Sequence, residues 1–325
     1  MPVSEKIIAA TFLCEHQHSD FLEFHKPEWN EIITKTVEEK LEVLGLTIEK
    51  VFPWADELSA GIEFQSFGYS FFHQPDLFLR IRPGKKDIVL KKLEEANLRF
   101  ELLGDDCIAL SNATKIDNIL ETNKEVVIQD RNSQQVLNFL KQQEAVKPPV
   151  SVWDCCAASG GKSILAYDIF HGEIELTVSD IREGILANLE ERFEAAGIKS
   201  YTSFVGDLSK AVRQGPDNKY QLIICDSPCT GSGTWSRTPE QLFFFKQNSI
   251  DIYAGLQQKI VRNVIPRLRK GGIFIYITCS VFKKENEDMV NFIKEQFHLR
   301  VIQMELLKGY DKKADSMFAA AFIKP

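Results

Sequence analysis

At 325 residues, with 44% hydrophobic and 26% charged, the chain has room for one large or two ordinary globular domains, and its composition is neither fibrous nor disordered. No run approaches the roughly 18 apolar residues of a membrane span, and the opening "MPVSEKIIAATFLCEH" carries acids early, so neither a spanning helix nor a secretory leader is expected. The net charge of −7 speaks against a polycationic nucleic-acid binder, and seven cysteines without framework spacing suit thiols kept reduced in a cytoplasm.

In chain order, "SEKIIAATFLCEH" and "WNEIITKTVEEKLEVLG" carry helical patterns. "LFLRIRP", "KKDIVLKKLEEAN", "LRFELLG" and "CIAL" then read as strand, helix, strand and strand, a small α+β module closing residues 1–125. The stretch Arg80 to Lys92 holds six basic residues against one acid, and each such charge run reads equally well as a solvated face. A boundary is expected in "LETNKEVVIQDRNSQQV", so that residues 126–325 form the second domain.

From about residue 150 strands and helices alternate. "SVWDCC", "IELTVSD", "YTSFVGD", "YQLIICD" and "IFIYITCS" read as five strands. The helices between them are "GKSILAYDIFH", "REGILANLEERFEAAG" and a long "SIDIYAGLQQKIVRNVIPRLRKGG" stopped by its glycine pair; "KENEDMVNFIKEQF" follows the fifth strand. "LRVIQMEL" and "MFAAAFIKP" end the chain without a helix between them, which predicts an antiparallel hairpin at a sheet edge. Alternation of this kind predicts a doubly wound parallel α/β sheet, the Rossmann-like layout of class I methyltransferases. A second basic run, Arg262 to Lys270, carries four basic residues and no acid.

The first strand runs into "VWDCCAASGGKS", which ends as a phosphate-binding loop ends. Cys156 stands where that loop needs its first glycine, so the stretch reads as a ligand cradle of strand, glycine turn and helix with other spacing.

In an open parallel sheet the ligand lies beyond the carboxyl ends of the strands. The five strand ends carry Asp154, Asp180, Asp207, Asp226 and Cys279. Any one of them reads as a helix cap or turn residue; five in succession point to a site. An acid after the second strand suits ribose hydroxyls and one after the third suits an adenine amino group, so Asp180 and Asp207 suit a nucleoside. With a single basic residue, Lys162, in the turn, S-adenosylmethionine fits better than a triphosphate.

Asp226, Cys229 and Cys279 gather at the fourth and fifth strands, whose spacing of about 5 Å brings their side chains to one space. Carbon 5 of a pyrimidine becomes nucleophilic when a thiolate adds to carbon 6, which is covalent catalysis by cysteine. The thiolate needs a helix terminus or a cation nearby; the helix after Cys279 is one candidate source. Asp226 suits the base edge. Cys107, Cys155 and Cys225 lie in apolar runs and read as core, and Cys14 as packing. No paired C-x-x-C is present and the histidines lie mainly at 16, 18, 25 and 73, far away in sequence, so no metal site is expected.

Together, "DCCAASGGKS", "SDIRE", "GDL", "DSPCTGSGTWSRTPE" and "YITCS" resemble, in order, the motifs of the RsmB/Sun-type (Fmu) RNA cytosine-5 methyltransferases. "VIQDRNSQQV" resembles that family's lead-in helix and "ADSMFAAAFIKP" its closing strand, so the resemblance covers roughly residues 75–325. It implies that Cys156, Ala157, Ala158, Ser159, Gly160, Gly161 and Lys162, with Asp180, Asp207 and Asp226, hold S-adenosylmethionine. It further implies that Cys279 is the nucleophile, that Cys229 assists release of the product, and that Lys162 orients Asp226. The partner it implies is RNA, ribosomal RNA foremost, contacted through Arg80–Lys92 and Arg262–Lys270, with no membrane and no metal. Ser159 stands where the family usually has proline and Thr230 where it has serine. The competing reading is a non-catalytic RNA-binding assembly factor that keeps the fold; a third is methylation of DNA or a small molecule.

Overall fold

The computed structural model describes residues 2–142, 148–210 and 219–325. Its strands form two sheets. The smaller contains β1 (Leu77–Ile81), β2 (Phe100–Leu103), β3 (Cys107–Leu110) and β4 (Val126–Ile128) in the order β2-β3-β1-β4. All its pairings are antiparallel. The helix Lys86–Glu95 lays Val89 and Leu93 on Leu79, Ile108 and Val126 to make its core.

β4 replaces the expected lead-in helix. Val126 to Ile128 bond to β1, and the next side chains turn back on the backbone. Gln134 donates to the Gln129 carbonyl, and Asn132 donates to the carbonyls of Leu307 and Asp315. Side chains that satisfy the main chain in this way compete with a helix.

The larger sheet contains β5 (Val150–Asp154), β6 (Ile174–Asp180), β7 (Tyr201–Val205), β8 (Tyr220–Asp226), β9 (Leu268–Thr278), β10 (Arg300–Leu307) and β11 (Met317–Ile323). The order is β10-β11-β9-β8-β5-β6-β7. β5 to β9 run parallel, and β11 enters antiparallel between β9 and the edge strand β10. Strands buried on both faces read as continuous apolar runs, as "LIIC" and "IFIYI" do. One core packs Val152 and Ile224 with Ile164, Leu189 and Phe193; the other packs Trp153 and Ile223 with Val261, Phe274 and Met289. The strand order reverses between β5 and β8, where such sheets open a crevice.

The long helix, Asn248–Val264, stops earlier than expected. Pro266 lies in a 3-10 turn, Ile265–Arg267, and cannot continue the helix ladder. Gly271 and Gly272 fall inside β9, bonded to Lys324 beyond β11.

The first helix is Val3–Cys14, and Cys14 at its end is exposed rather than packed. The expected second helix is broken into Pro27–Asn30 and Val37–Val43. Thr36 and Glu39 form a reciprocal capping box, which starts a new helix in mid-pattern. Beyond it, Phe52 stacks on Phe282 and Trp54 meets Phe245 edge-on, with Trp235 between. The N-terminal segment therefore packs against the loops that follow β8 and β9.

Two arginines of the first basic run join the sheets. Arg80 and Arg82, both largely buried, each lie 2.7 Å from the carboxylate of Asp168 in the helix Gly161–Ile169. Lys92 pairs with Glu125 at 2.7 Å. These three charges are used inside the fold, which leaves Lys85, Lys86 and Lys91 of that run nearer the surface. No helix among the described residues is long and apolar enough to cross a membrane.

Candidate active site

β5 ends at Asp154 and the chain turns through Cys155–Gly160 into the helix Gly161–Ile169. Gly160 has φ +83°, and a Cβ there would lie 2.7 Å from Phe193 Cε1, so only glycine lets the turn sit on the next helix. The Ala158 N–H donates to Asp180 Oδ2 at 3.0 Å. Arg192 donates to both the carbonyl (3.0 Å) and the hydroxyl (2.7 Å) of Ser159. The serine in the proline's place is thus tied down by a side chain instead of a ring.

Lys162, in the first turn of the helix, reaches across to Asp226 at the end of β8, Nζ to Oδ2 2.6 Å. Burial alone would lower its pKa, but the Asp226 carboxylate outweighs that and holds the ammonium above its ordinary value. Ser163 donates to Asp154 Oδ2 at 2.6 Å, while Asp154 Oδ1 is buried with no hydrogen-bond partner among the described residues. Burial pushes the Asp154 carboxyl up to about 7.

The two site cysteines meet. Cys229 lies in the loop after β8 and Cys279 directly after β9, and their sulfurs are 3.3 Å apart as free thiols. The contact with Cys279, followed by burial, holds the Cys229 thiol well above its ordinary pKa. Gly233 allows this approach: its N–H donates to the Cys279 carbonyl at 2.8 Å. A Cβ on it would lie 2.1 Å from the Ser316 carbonyl oxygen and 3.0 Å from that of Cys279. Lys162 is a cation near Cys279, and the helix that follows begins at Glu287, whose carboxylate accepts from Ser59 and Ala60.

Two adjoining cavities share Cys156, Ala158, Asp226 and Cys279. The larger, about 470 Å³, is lined by Asp180, Arg182, Asp207, Leu208, Pro228 and Ile260. The smaller, about 280 Å³, is lined by Gln129, Asp130, Lys162, Arg192, Thr234 and Asp315. Ala157, Ser159 and Gly161 also face the smaller cavity. Asp180 accepts from the backbone and guanidinium of Arg182, and Asp207 is held at about 2 by Lys210 and Ser209.

Sequence reasoning gave no role to Arg192, Asp130, Arg237 or Asp315. Arg237 bridges the carboxylates of Asp130 and Asp315, and burial lifts Asp315 to about 6. Both acids stood inside recognisable stretches, "VIQDRNSQQV" and "ADSMFAAAFIKP", but only the fold brings them together. The sulfurs of Cys155, Cys156 and Cys225 lie within 4.8 Å of one another; Cys155 and Cys225 are core, as is Cys107, and Cys156 opens to both cavities. The second basic run, Arg262–Lys270, lies at the opposite end of β9 from Cys279.

Residues 139–322 match the family model described as 16S rRNA methyltransferase RsmB/F. Over 194 residues the chain is 28% identical to the Bacillus subtilis protein named "Probable ribosomal RNA small subunit methyltransferase B", covering 59% of this chain and 42% of that one. Over 166 residues it is 30% identical to ribosomal RNA small subunit methyltransferase B of Salmonella arizonae, covering 51% and 37%. The chain therefore aligns with less than half the length of these relatives. Among solved structures it is similar to a methyltransferase homolog from Pyrococcus horikoshii (TM-score 0.71, 20% identity, covering 89% of this chain and 98% of that one). It is also similar to NSun6 from Pyrococcus horikoshii with SFG (TM-score 0.69, 13% identity, covering 85% and 96%). These likenesses show the class I methyltransferase fold.

Proposed function

This chain belongs to the 16S rRNA methyltransferase RsmB/F family, and on that premise we propose that it methylates carbon 5 of a cytosine in ribosomal RNA, using S-adenosylmethionine and a covalent cysteine–cytosine intermediate. The observation that carries this reading is the 3.3 Å approach of Cys229 and Cys279 beside the Lys162–Asp226 pair.

The larger cavity suits the cofactor. It has acids at the ends of β6 and β7 for ribose and adenine, and apolar walls at Leu208, Pro228 and Ile260. Bound there, S-adenosylmethionine supplies an electrophilic methyl group. The smaller cavity suits the target base, because Cys279, Asp226 and Lys162 all face it. The Cys279 sulfur adds to carbon 6, and the ring's electron density moves to carbon 5 and the N3 edge. Asp226 holds that edge, carrying the proton that it shares with N3 as charge develops there, and Lys162 holds Asp226 in place. After transfer, the carbon 5 proton passes to water, its electron pair re-forms the ring double bond and the Cys279–carbon 6 bond breaks; Cys229 is the thiol within reach to donate to the departing sulfur and assist that release.

Residues 126–325 serve as the catalytic unit in this reading, and the small sheet of residues 1–125, completed by β4, is assigned to RNA contact through Lys85, Lys86 and Lys91. Arg262–Lys270, at the opposite end of β9 from Cys279, is proposed to contact RNA away from the target base. A ribosomal RNA substrate supports a cytoplasmic location, which is part of the same proposal.

The test is transfer of labelled methyl from S-adenosylmethionine to ribosomal RNA made without modifications, followed by bisulfite sequencing. One protected cytosine is expected. RNA binding without transfer would favour the assembly-factor reading, and methylation of DNA in preference to RNA would favour the third.

A further inference from the structure

We propose that Glu285 is a positioning residue whose single carboxylate ties the two cysteine loops together and so sets the distance between Cys229 and Cys279. Its consequence for catalysis rests on the reading above; its geometry does not.

Glu285 is fully buried and lies in the 3-10 turn Lys283–Glu285. Oε1 accepts from the Thr230 N–H at 3.0 Å and from Gln257 Nε2 at 3.0 Å. Oε2 accepts from the Thr230 hydroxyl at 2.5 Å and from the Ser280 hydroxyl at 2.5 Å. Thr230 directly follows Cys229 and Ser280 directly follows Cys279. The same Gln257 amide also donates to the carbonyl of Pro228, on the other side of Cys229. One carboxylate therefore grips both loops next to their sulfurs, using four neutral donors and no cation.

The anchor itself is fixed. The Tyr276 hydroxyl donates to the Glu285 carbonyl at 2.8 Å. Asn286 accepts from Thr278 and donates to the Ser280 carbonyl. Burial raises the Glu285 carboxyl, and the Ser280 and Thr230 donors pull it back toward the ionised form. Its charge also adds to the elevation of the Cys229 thiol, after Cys279 and burial, and so helps keep that sulfur protonated.

Oxidative trapping tests the geometry without RNA. Diamide takes one hydrogen from each of two thiols and leaves a disulfide, so the rate of Cys229–Cys279 crosslinking, read by peptide mass, reports how often the sulfurs meet. Wild type is expected to crosslink rapidly. Glu285→Gln, which puts an amide donor where carboxylate oxygens accepted, is expected to crosslink roughly tenfold or more slowly while retaining its melting cooperativity. Glu287→Gln, at a carboxylate that accepts from Ser59 and Ala60 and from neither cysteine loop among the described residues, is expected to match wild type. Crosslinking of Glu285→Gln at the wild-type rate overturns the proposal. If that variant does not fold, Thr230→Val and Ser280→Ala each remove one arm and are expected to slow crosslinking several-fold; wild-type rates in both overturn it as well.

A second readout addresses catalysis. Glu285→Gln is expected to accumulate covalent protein–RNA adduct, because Cys279 still attacks while Cys229 is displaced. Slow crosslinking together with a wild type that never methylates RNA would preserve the clamp and sink the enzymatic reading instead.

Discussion

Lys162 and Asp226 meet at 2.6 Å although they come from different strand–helix units, the lysine from the start of the helix after β5 and the acid from the end of β8. The pair crosses the crevice at the switch point of the sheet, so the lysine of a phosphate-loop-like sequence neutralises an acid here. Lys162→Met leaves that acid uncompensated in a partly buried site. It is expected to cost about 1–3 kcal/mol in urea unfolding and to reduce methyl transfer by at least about a hundredfold. Restored unfolding stability in the Lys162→Met/Asp226→Asn double variant would confirm the coupling.

Gly233 sits between two carbonyl oxygens, those of Ser316 and Cys279. Gly233→Ala must push β9's exit away from the loop bearing Cys229. A loss of about 2–4 kcal/mol in unfolding free energy is expected, with transfer abolished. A variant with wild-type melting and turnover would show that the loop moves freely.

Asp154 predicts a pH signature. Its carboxyl titrates at about 7 in the folded chain, against 3.8 as the ordinary value. Between those pH values the unfolded chain has released a proton that the folded chain keeps. The favourable contribution is therefore complete below about 4 and is lost as pH rises through about 7, up to about 4 kcal/mol in all. Asp154→Asn, which stays neutral, should match wild type only below about pH 4, pull ahead of it as pH rises toward 7, and melt higher by its full margin near pH 8.5. Parallel pH curves for the two proteins would contradict the assignment.

Arg192 holds both oxygens of Ser159, the carbonyl and the hydroxyl. Arg192→Met should loosen the glycine turn and weaken cofactor binding several-fold by calorimetry, with little change in RNA affinity. The reverse pattern would move Arg192 from the cofactor turn to the RNA side.

The strand ends were legible because burial on both faces gives apolar runs that stop where the sheet stops. Asp226 after "YQLIIC" and Cys279 after "IFIYIT" could be placed from the pattern alone. Arg80 and Arg82 could not: a basic run looks the same whether it faces solvent or Asp168, and only tertiary structure supplies the acid 86 residues or more away. Glu285 was hidden for the same reason, since "KENED" reads as a charged helix start. β4 was missed because three residues are too short for a period, and the Thr36–Glu39 box was overlooked inside a longer helical pattern.

In the proposed reaction one sulfur bonds to the base and the other lets it go. Cys229→Ala incubated with unmodified ribosomal RNA and S-adenosylmethionine should give a slow-migrating protein–RNA band on a denaturing gel, and the additional change Cys279→Ala should abolish it. No band from Cys229→Ala while wild type methylates the RNA, or a band that survives loss of Cys279, would contradict it.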